Sequence, residues 1–123
     1  MGVVRFEDVE NKLLTLREQQ VLLDSDVAEL YGVETKRINE AVKNNPERFP
    51  EGYICELSKN EKQELVENFD RFEKLKHSSV LPKAFTEQGL YMLATILKSK
   101  PAVQTTLVIV ETFTKIRTLA RTV

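Results

Sequence analysis

The chain has 123 residues and nearly balanced charge, with 18 basic side chains, 19 acidic side chains and a formal net charge of −1. This length predicts a single domain, residues 1–123, with a modest core. No apolar run approaches the roughly 20 residues that span a bilayer, and the N-terminus lacks the basic and then apolar pattern of a signal peptide. A cytoplasmic protein with no membrane partner is therefore expected, and the single cysteine, Cys55, excludes an intramolecular disulfide framework.

Near the N-terminus, two short runs predict a β-hairpin. Residues 13–16 and 21–23 are mostly apolar, and the polar residues 17–20 separate them. Two apolar runs around a polar turn are typical of paired strands. We expect this hairpin to lead into the first helix.

The segment 24–45 has the spacing of a helix-turn-helix motif, with its two helices over about 25–44. Residues 24–26, two aspartates and a serine, offer oxygens that can cap the first helix. Gly32 occupies the predicted turn, where glycine accepts positive φ, and Thr35 can cap the second helix. This motif presents its second helix to the major groove of double-stranded DNA.

The second helix is predicted to carry the DNA contacts. With Ile38, Ala41 and Val42 facing inward, a rotation of about 100° per residue turns a polar face outward. Lysine and arginine there can pair with phosphates or guanine, asparagine can contact adenine, and glutamate can accept from cytosine. Lys36, Asn39, Glu40 and Lys43 are expected to point outward, with Arg37 and Asn44 at the edges. The candidate DNA-binding residues are Thr35, Lys36, Arg37, Asn39, Glu40, Lys43 and Asn44.

The overall charge argues against DNA binding, because many DNA-binding domains are basic. The charge is unevenly distributed, however. The first 35 residues are acidic, whereas residues 71–83 hold four basic side chains against Glu73 alone, and the chain from Lys98 holds five against Glu111 alone. A local basic side can still face phosphates.

The middle of the chain predicts two further strands and a helix. Residues 53–57 form one predicted strand, and residues 81–85 form a second that pairs with it. Ser58 and Glu61 match a capping box that opens a helix through about Phe72. A polar loop over residues 77–79 then leads to the second strand.

Two C-terminal helices are expected over about 86–121. Thr86 and Glu87 begin the first, whose core face carries leucines. Lys98 and Lys100 suit its C-terminal end, where cations oppose the helix dipole, and Pro101 suits the first turn of the second. Residues 105–114 are β-rich in propensity, but their apolar residues form two adjoining helical stripes, so we favour a long helix. Its apolar face is wide enough to predict a homodimer. The two stripes are Val103, Leu107 and Val110, and Ile109, Phe113, Ile116 and Ala120.

These elements predict an α+β fold with a helix-turn-helix core, short β-hairpin strands and a long C-terminal helix. Its chemistry predicts no enzyme, no cofactor and no small-molecule substrate. His77 is the only histidine and has no triad around it, and the chain lacks metal-ligand spacing and a glycine-rich phosphate loop. The alternative to DNA binding is a protein-interaction or dimerisation module that uses the helix pair for packing.

The segment LDSDVAELYGVETKRINEAVKNNPERFPEGYICEL, followed later by LPKAFTEQGLYMLATIL, resembles the phage and prophage KilA-N/Bro-N-related DNA-binding domains. The branch it resembles most is named for the N-terminal domain of phage Orf6, and the likeness covers roughly residues 8–117. The resemblance implies a bacterial, prophage-linked DNA-binding domain, often the first module of a longer regulatory or antirepressor-like protein. It implies that residues 33–44 contain the recognition helix.

Two separated motifs carry much of this likeness, RFPEGY over residues 48–53 and AFTEQG over residues 84–89. Within them, Phe49, Pro50, Phe85 and Gly89 suit packing and turns better than contacts to DNA. Residues 86–88 stand at a predicted helix start, where capping is favoured over phosphate contact.

Overall fold

A computed structural model describes residues 3–122, apart from the side chain of Thr122. Within that range the chain forms six α-helices, two 3-10 helices and four short strands. The α-helices are α1 (Phe6–Glu10), α2 (Asp24–Tyr31), α3 (Thr35–Asn44), α4 (Lys59–Asn68), α5 (Glu87–Ala94) and α6 (Lys100–Thr122). The strands are β1 (Leu14–Leu16), β2 (Gln19–Leu23), β3 (Ile54–Glu56) and β4 (Lys83–Phe85), and the 3-10 helices are Pro46–Arg48 and Asp70–His77. The fold is therefore α+β, as predicted.

The predicted hairpin is confirmed as β1 and β2. Leu16 pairs with Gln19, which leaves Arg17 and Glu18 as a two-residue turn with φ of 51° and 68°. Positive φ at both central residues is the type I′ geometry that matches the twist of paired strands. Arg17 also donates two hydrogen bonds to the Glu61 carboxylate, at 2.7 and 3.0 Å, so the turn is joined to the start of α4.

The four strands form one antiparallel sheet in the order β1-β2-β4-β3. β3 and β4 pair with each other, as predicted, and β4 lies between β2 and β3. Because successive side chains of a strand point to opposite faces, Leu22 and Phe85 belong to one core, and Leu23 and Ala84 belong to another.

The larger core lies between the sheet and five helices. It contains fully buried side chains from β2, α2, α3 and α5, such as Leu22, Val27, Ile38 and Leu90. The smaller core on the opposite face is covered by Phe72 and its neighbours from the segment around α4. The sheet thus holds α3 on one face and α4 on the other.

The region after β3 follows the sequence prediction only in part. The capping box is confirmed: the Ser58 hydroxyl accepts from the Glu61 N–H, and the Glu61 carboxylate accepts from the Ser58 N–H. The helix was predicted to reach Phe72, but α4 ends at Asn68 and a 3-10 helix follows. The chain reverses at Phe69, which is extended, so that Phe72 turns into the smaller core.

The ambiguous C-terminal segment is a helix, α6, with Pro101 in its first turn. Four of its threonines donate their hydroxyls to the carbonyl four residues earlier in the helix, as Thr112 Oγ1 donates to the Val108 carbonyl at 2.8 Å. Such bonds let a threonine-rich segment stay helical despite its β propensity. Thr105 Oγ1 instead donates to the Leu30 carbonyl of α2. Lys100 belongs to the start of α6, which corrects its predicted place at the end of α5.

α6 buries the first half of one of its two apolar stripes, while Ile116 of that stripe is half-buried and Ala120 is exposed. Ile109 and Phe113 enter the larger core, whereas Val103 and Leu107 remain 46% and 52% exposed. Within residues 3–122, no helix combines the length and hydropathy that crossing a membrane requires.

Candidate nucleic-acid interface

A tight glycine turn separates α2 from α3, as the sequence predicted. Gly32 has φ of 68° and ψ of 33°. Its N–H donates to the Glu29 carbonyl at 3.2 Å, and the Val33 N–H donates to the Ala28 carbonyl at 2.9 Å. This pair of bonds is the Schellman arrangement, which ends a helix at a residue of positive φ. Among the described residues other than its two chain neighbours, no atom lies within 4 Å of where a Cβ would stand on Gly32, so the backbone angle and not space requires glycine.

The second helix begins differently from the prediction. Glu34 is the N-cap residue of α3 and makes no side-chain cap bond, while Thr35 is the first helical residue. Thr35 is half-buried. Its predicted capping role is therefore wrong, since a cap must precede the helix with an extended backbone.

The inner face of α3 is the predicted one. Ile38 is fully buried and Ala41 is 2% exposed, and Val42 packs against the same core. Residues three and four apart share one side of a helix, so these side chains hold α3 against α2 and the sheet. The small Ala41 and Ala28 belong to this packed region.

The outer face of α3 is basic and open. Five of its side chains are exposed, three basic, one acidic and one amide, and none forms a side-chain hydrogen bond or ion pair within residues 3–122. Unpaired cations on a helix with a firmly packed opposite face are available to a ligand. The five are Lys36, Arg37, Glu40, Lys43 and Asn44. Arg37 and Asn44, predicted at the edges, thus belong to the exposed face.

Asn39 departs from its predicted outward position. Its Nδ2 donates to Asp24 Oδ2 at 3.2 Å, and its Oδ1 is buried without a hydrogen-bond partner among the described residues. Asp24 is 6% exposed and also accepts from the Lys83 N–H at 3.4 Å. Asn39 therefore ties α3 to α2 and to the start of β4, and its predicted contact to adenine does not fit this arrangement.

Asp24 and Asp26 are not the helix caps that the sequence suggested. Leu23 is the N-cap position of α2 and forms no side-chain cap bond. Asp26 is 3% exposed and lies 3.3 Å from Arg71 Nη2. The Arg71 guanidinium also stacks over the Phe72 ring, 4.3 Å from its centroid. Burial raises the pKa of Asp26, and the hydrogen bond from Arg71 opposes that rise.

These contacts reach across long stretches of sequence, from Asp24 to Lys83 and from Asp26 to Arg71. Sequence reasoning missed both, because an aspartate at a helix start is usually explained by capping alone. No local pattern around Arg71 or Lys83 indicates these partners. Together they attach the start of α2 to the remainder of the fold.

The motifs RFPEGY and AFTEQG meet each other in the structure. The Phe49 and Phe85 rings pack edge to face with centroids 6.4 Å apart. The Thr86 hydroxyl lies 2.8 Å from the Gly52 carbonyl oxygen, to which it can donate. A Cβ on Gly89 would collide with the backbone oxygen of Tyr53. These residues are structural, as predicted, and they anchor the chain that leaves α3.

Of residues 86–88, Thr86 follows the capping interpretation. Thr86 Oγ1 accepts from the Gly89 N–H at 3.3 Å and is the N-cap of α5. Glu87 accepts hydrogen bonds from Arg117 of α6 and from Tyr91. Gln88 is exposed.

The other candidate groups lie away from α3. Cys55 is a half-buried residue of β3, and burial raises the pKa of its thiol. His77 is exposed at the end of the second 3-10 helix. In the part of the chain that the structure describes, no group of three or more His, Cys, Asp or Glu side chains is placed to hold a metal ion.

The chain is similar to a known protein family over most of its length. A family model described as the ORF6N domain matches residues 11–96. The matched range runs from the β-hairpin to just beyond α5 and includes α2, α3 and both separated motifs. It is narrower than the predicted likeness over residues 8–117, because it leaves out α6. No curated protein and no solved structure matches the chain.

Proposed function

The chain belongs to the ORF6N domain family, and from this premise we propose that it is a sequence-specific DNA-binding domain. In this proposal α2 and α3 form a helix-turn-helix, and α3 enters the major groove. The domain serves a prophage-type transcriptional regulator or antirepressor-like protein. The family match supports the phage association, and the surface of α3 supports the mode of binding.

The observation that carries the proposal is the open basic face of α3. Lys36, Arg37 and Lys43 are exposed and lack side-chain partners within residues 3–122. The opposite face is held by buried Ile38 and Ala41. A rigidly mounted helix with free cations can lie in a groove about 12 Å wide and contact both phosphates and base edges.

The chemistry divides among the exposed residues. The lysines pair with phosphates as point charges, and Arg37 can form a bidentate contact with a guanine. Glu40 repels phosphates and contributes only where it accepts from a cytosine amino group. Asn39 is a positioning residue in this scheme, because it holds α3 through Asp24.

The formal net charge of −1 affects the strength and the salt dependence of the proposed DNA binding. The whole chain does not attract a polyanion, so affinity depends on the local basic face. We expect weak non-specific binding and a modest dependence on salt for each subunit.

Sequence specificity is tested by selecting bound duplexes from a random pool at two salt concentrations. Enrichment of a common motif at the higher salt is expected, because base contacts survive when phosphate contacts weaken. A pool that remains random at both salt concentrations contradicts specific recognition and favours the interaction-module alternative.

The role of α3 is tested by Lys36→Glu together with Lys43→Glu. Because this double variant places two negative charges beside phosphates, we expect affinity for the selected duplex to fall at least tenfold, roughly 1.4 kcal/mol. Fluorescence anisotropy at low salt measures the change.

Lys98→Glu together with Lys100→Glu is the matched control. It makes the same change in charge at two exposed lysines near the start of α6 and is expected to bind nearly as the original chain does. An equal loss of duplex affinity in both double variants would mean that binding depends on the overall charge of the chain and not on recognition by α3. Unchanged affinity in a folded Lys36/Lys43 variant rejects α3 as the reading helix.

A second function, homodimerisation through α6, is favoured by one observation. Val103 and Leu107 are 46% and 52% exposed, and partly exposed Val110 continues their stripe. An apolar stripe in water is a candidate contact between copies of one chain. Dimerisation is compatible with DNA binding, since dimeric helix-turn-helix proteins contact two half-sites about one helical turn apart.

Light scattering at increasing protein concentration tests the dimer. We expect the mass of two chains for the original protein and of one chain for Val103→Ser with Leu107→Ser, because the polar side chains remove apolar contact area. Val80→Ser, at another exposed apolar residue, is the control. A mass of one chain for the original protein at high concentration rejects the dimer.

A further inference from the structure

A second basic site lies on the other side of the sheet from α3. A cavity of about 540 Å³ opens between α4, the following 3-10 helix and the loop before β4. None of the described residues that line it is acidic. Its polar lining comes from three lysines, two serines and a glutamine, Lys59, Lys62, Lys76, Ser78, Ser79 and Gln63.

The donors around this cavity differ in how far they are already engaged. Lys62 Nζ donates to the Ser78 carbonyl and so holds the loop in place. Lys76 Nζ lies 3.5 Å from the exposed Glu73 carboxylate. Lys59 is exposed and has no ion pair within residues 3–122. Gln63 Nε2 donates to the Glu67 carboxylate at 3.0 Å. The cavity therefore keeps positive charge and, at Lys59, N–H donors without a partner among the described residues, which together favour an anion.

Although they lie on opposite faces of the sheet, α3 and this cavity are attached near the same end of the strands. Leu23, just before Asp24, pairs with Ala84, and Lys83 pairs with Glu56. Neighbouring strands are about 4.8 Å apart, so Asp24 and Glu56 are separated by two strand spacings, about 10 Å. Asn39 of α3 is bonded to Asp24, and Lys59 follows Glu56 by three residues.

We propose that this cavity binds a backbone phosphate of the duplex that α3 reads. The proposal rests on the DNA binding proposed above. Asp24, which holds Asn39 of α3, and Glu56, three residues before Lys59, are about 10 Å apart, which is comparable to the width of the major groove, about 12 Å. A duplex lying across this end of the strands contacts α3 through its groove and the cavity through the flanking backbone. Lys59 and Lys76 supply the charge, and Val66 and Leu81 offer apolar surface to the sugar.

Phosphate binding in the cavity is tested by the double variant Lys59→Gln with Lys76→Gln, in which Lys62 still holds the loop. Binding to the selected duplex and to a duplex of unrelated sequence is measured by fluorescence anisotropy across a salt series. Because phosphate contacts carry no sequence information, we expect both duplexes to bind about tenfold more weakly, with the salt slope reduced by about 1 to 2.

Lys98→Gln with Lys100→Gln removes the same charge elsewhere and is expected to leave the slope unchanged. If Lys59→Gln with Lys76→Gln also leaves affinity and slope unchanged while the original chain binds DNA, the cavity proposal fails and the proposed function stands. Circular dichroism confirms that each variant is folded.

A second experiment tests whether the cavity binds an anion independently of whether the chain binds DNA. Inorganic phosphate is titrated into the full chain at low salt, and the amide resonances of Lys59, Ser78 and Ser79 are followed by NMR. Saturable shifts that disappear in Lys59→Gln with Lys76→Gln are expected. If those shifts occur but the original chain binds no duplex, the site takes a free anion and its assignment to DNA is overturned. No saturable shift overturns the anion site itself.

Discussion

At the scale of single residues, hydrogen bonds between polar side chains fix the position of α3 against α2 and β4. Asp24 is 6% exposed and accepts from Asn39 Nδ2 and from the Lys83 N–H. One buried carboxylate thus connects α2, α3 and β4. Buried polar groups need such partners, because each unmade hydrogen bond costs the desolvation of its donor or acceptor. The orientation of the candidate interface depends on this junction.

Asp24→Ala is expected to lower the free energy of unfolding by about 2 kcal/mol, because it leaves the partly buried donors of Asn39 and Lys83 without this acceptor. Urea unfolding monitored by circular dichroism measures the change. Glu40→Ala, at an exposed residue of α3, is the control and is expected to stay within about 0.5 kcal/mol of the original chain. Equal stabilities of the two variants contradict the role given to Asp24.

At the scale of elements, the start of α4 and the β-hairpin stabilise each other. Glu61 completes the capping box with Ser58 and accepts two hydrogen bonds from Arg17 in the hairpin turn. The hydrogen bond from Arg17, followed by that from the Ser58 backbone, lowers the pKa of Glu61 from 4.5 to about 2. The charged form is therefore favoured by folding.

This lowered pKa predicts a definite pH dependence. The stabilisation is fully present above the unfolded pKa of 4.5 and is lost as the pH falls toward about 2, where folded Glu61 becomes protonated. Glu61→Gln keeps a capping side chain but loses the charge, so we expect a deficit of about 0.5–1 kcal/mol at pH 7, limited by solvent screening.

Urea unfolding at pH 7, 4 and 2.5 measures this deficit, which should shrink as the pH falls. Glu64→Gln, at an exposed residue of the same helix, is expected to show no such trend. A deficit for Glu61→Gln that is constant over this pH range means that the Arg17 contact does not stabilise the charged carboxylate.

At the scale of the whole molecule, α6 contributes side chains to the larger core although it lies outside the residues that the family model matches. The match ends at residue 96, yet Ala102, Ile109 and Phe113 belong to the larger core. They share it with Val9 of α1 and Leu90 of α5. Without α6, apolar side chains from the matched region would face water.

Phe113→Ala in the full chain is expected to lower the free energy of unfolding by about 3–5 kcal/mol, since it opens a cavity in the larger core. Glu111→Ala, at an exposed residue of the same helix, is the control and should change the free energy of unfolding by less than about 0.5 kcal/mol. Thermal and urea unfolding measure both. A loss below about 1 kcal/mol for Phe113→Ala shows that α6 is dispensable to the core.

Local sequence signals predicted most of the elements. The hairpin, the glycine turn at Gly32, the Ser58–Glu61 capping box and the pairing of β3 with β4 are all confirmed. The hairpin, the glycine turn and the capping box each depend on residues a few positions apart, so their physical cause lies within the local sequence. The basic, exposed character of α3 was predictable for the same reason. The pairing of β3 with β4 joins distant segments, such as Ile54 with Phe85, and the sequence indicated it only through two short apolar runs.

Only the tertiary structure decided which partners the polar side chains meet. Helical periodicity placed Asn39 on the outward face of α3, but the approach of Asp24 turned its side chain inward. Asp26 met Arg71 across 45 residues, and the pairing of β2 with β4 placed the Lys83 N–H beside Asp24, which also holds Asn39 of α3. Such contacts depend on the packing of the whole chain, because the burial and hydrogen bonding of one side chain are set by segments far from it in sequence.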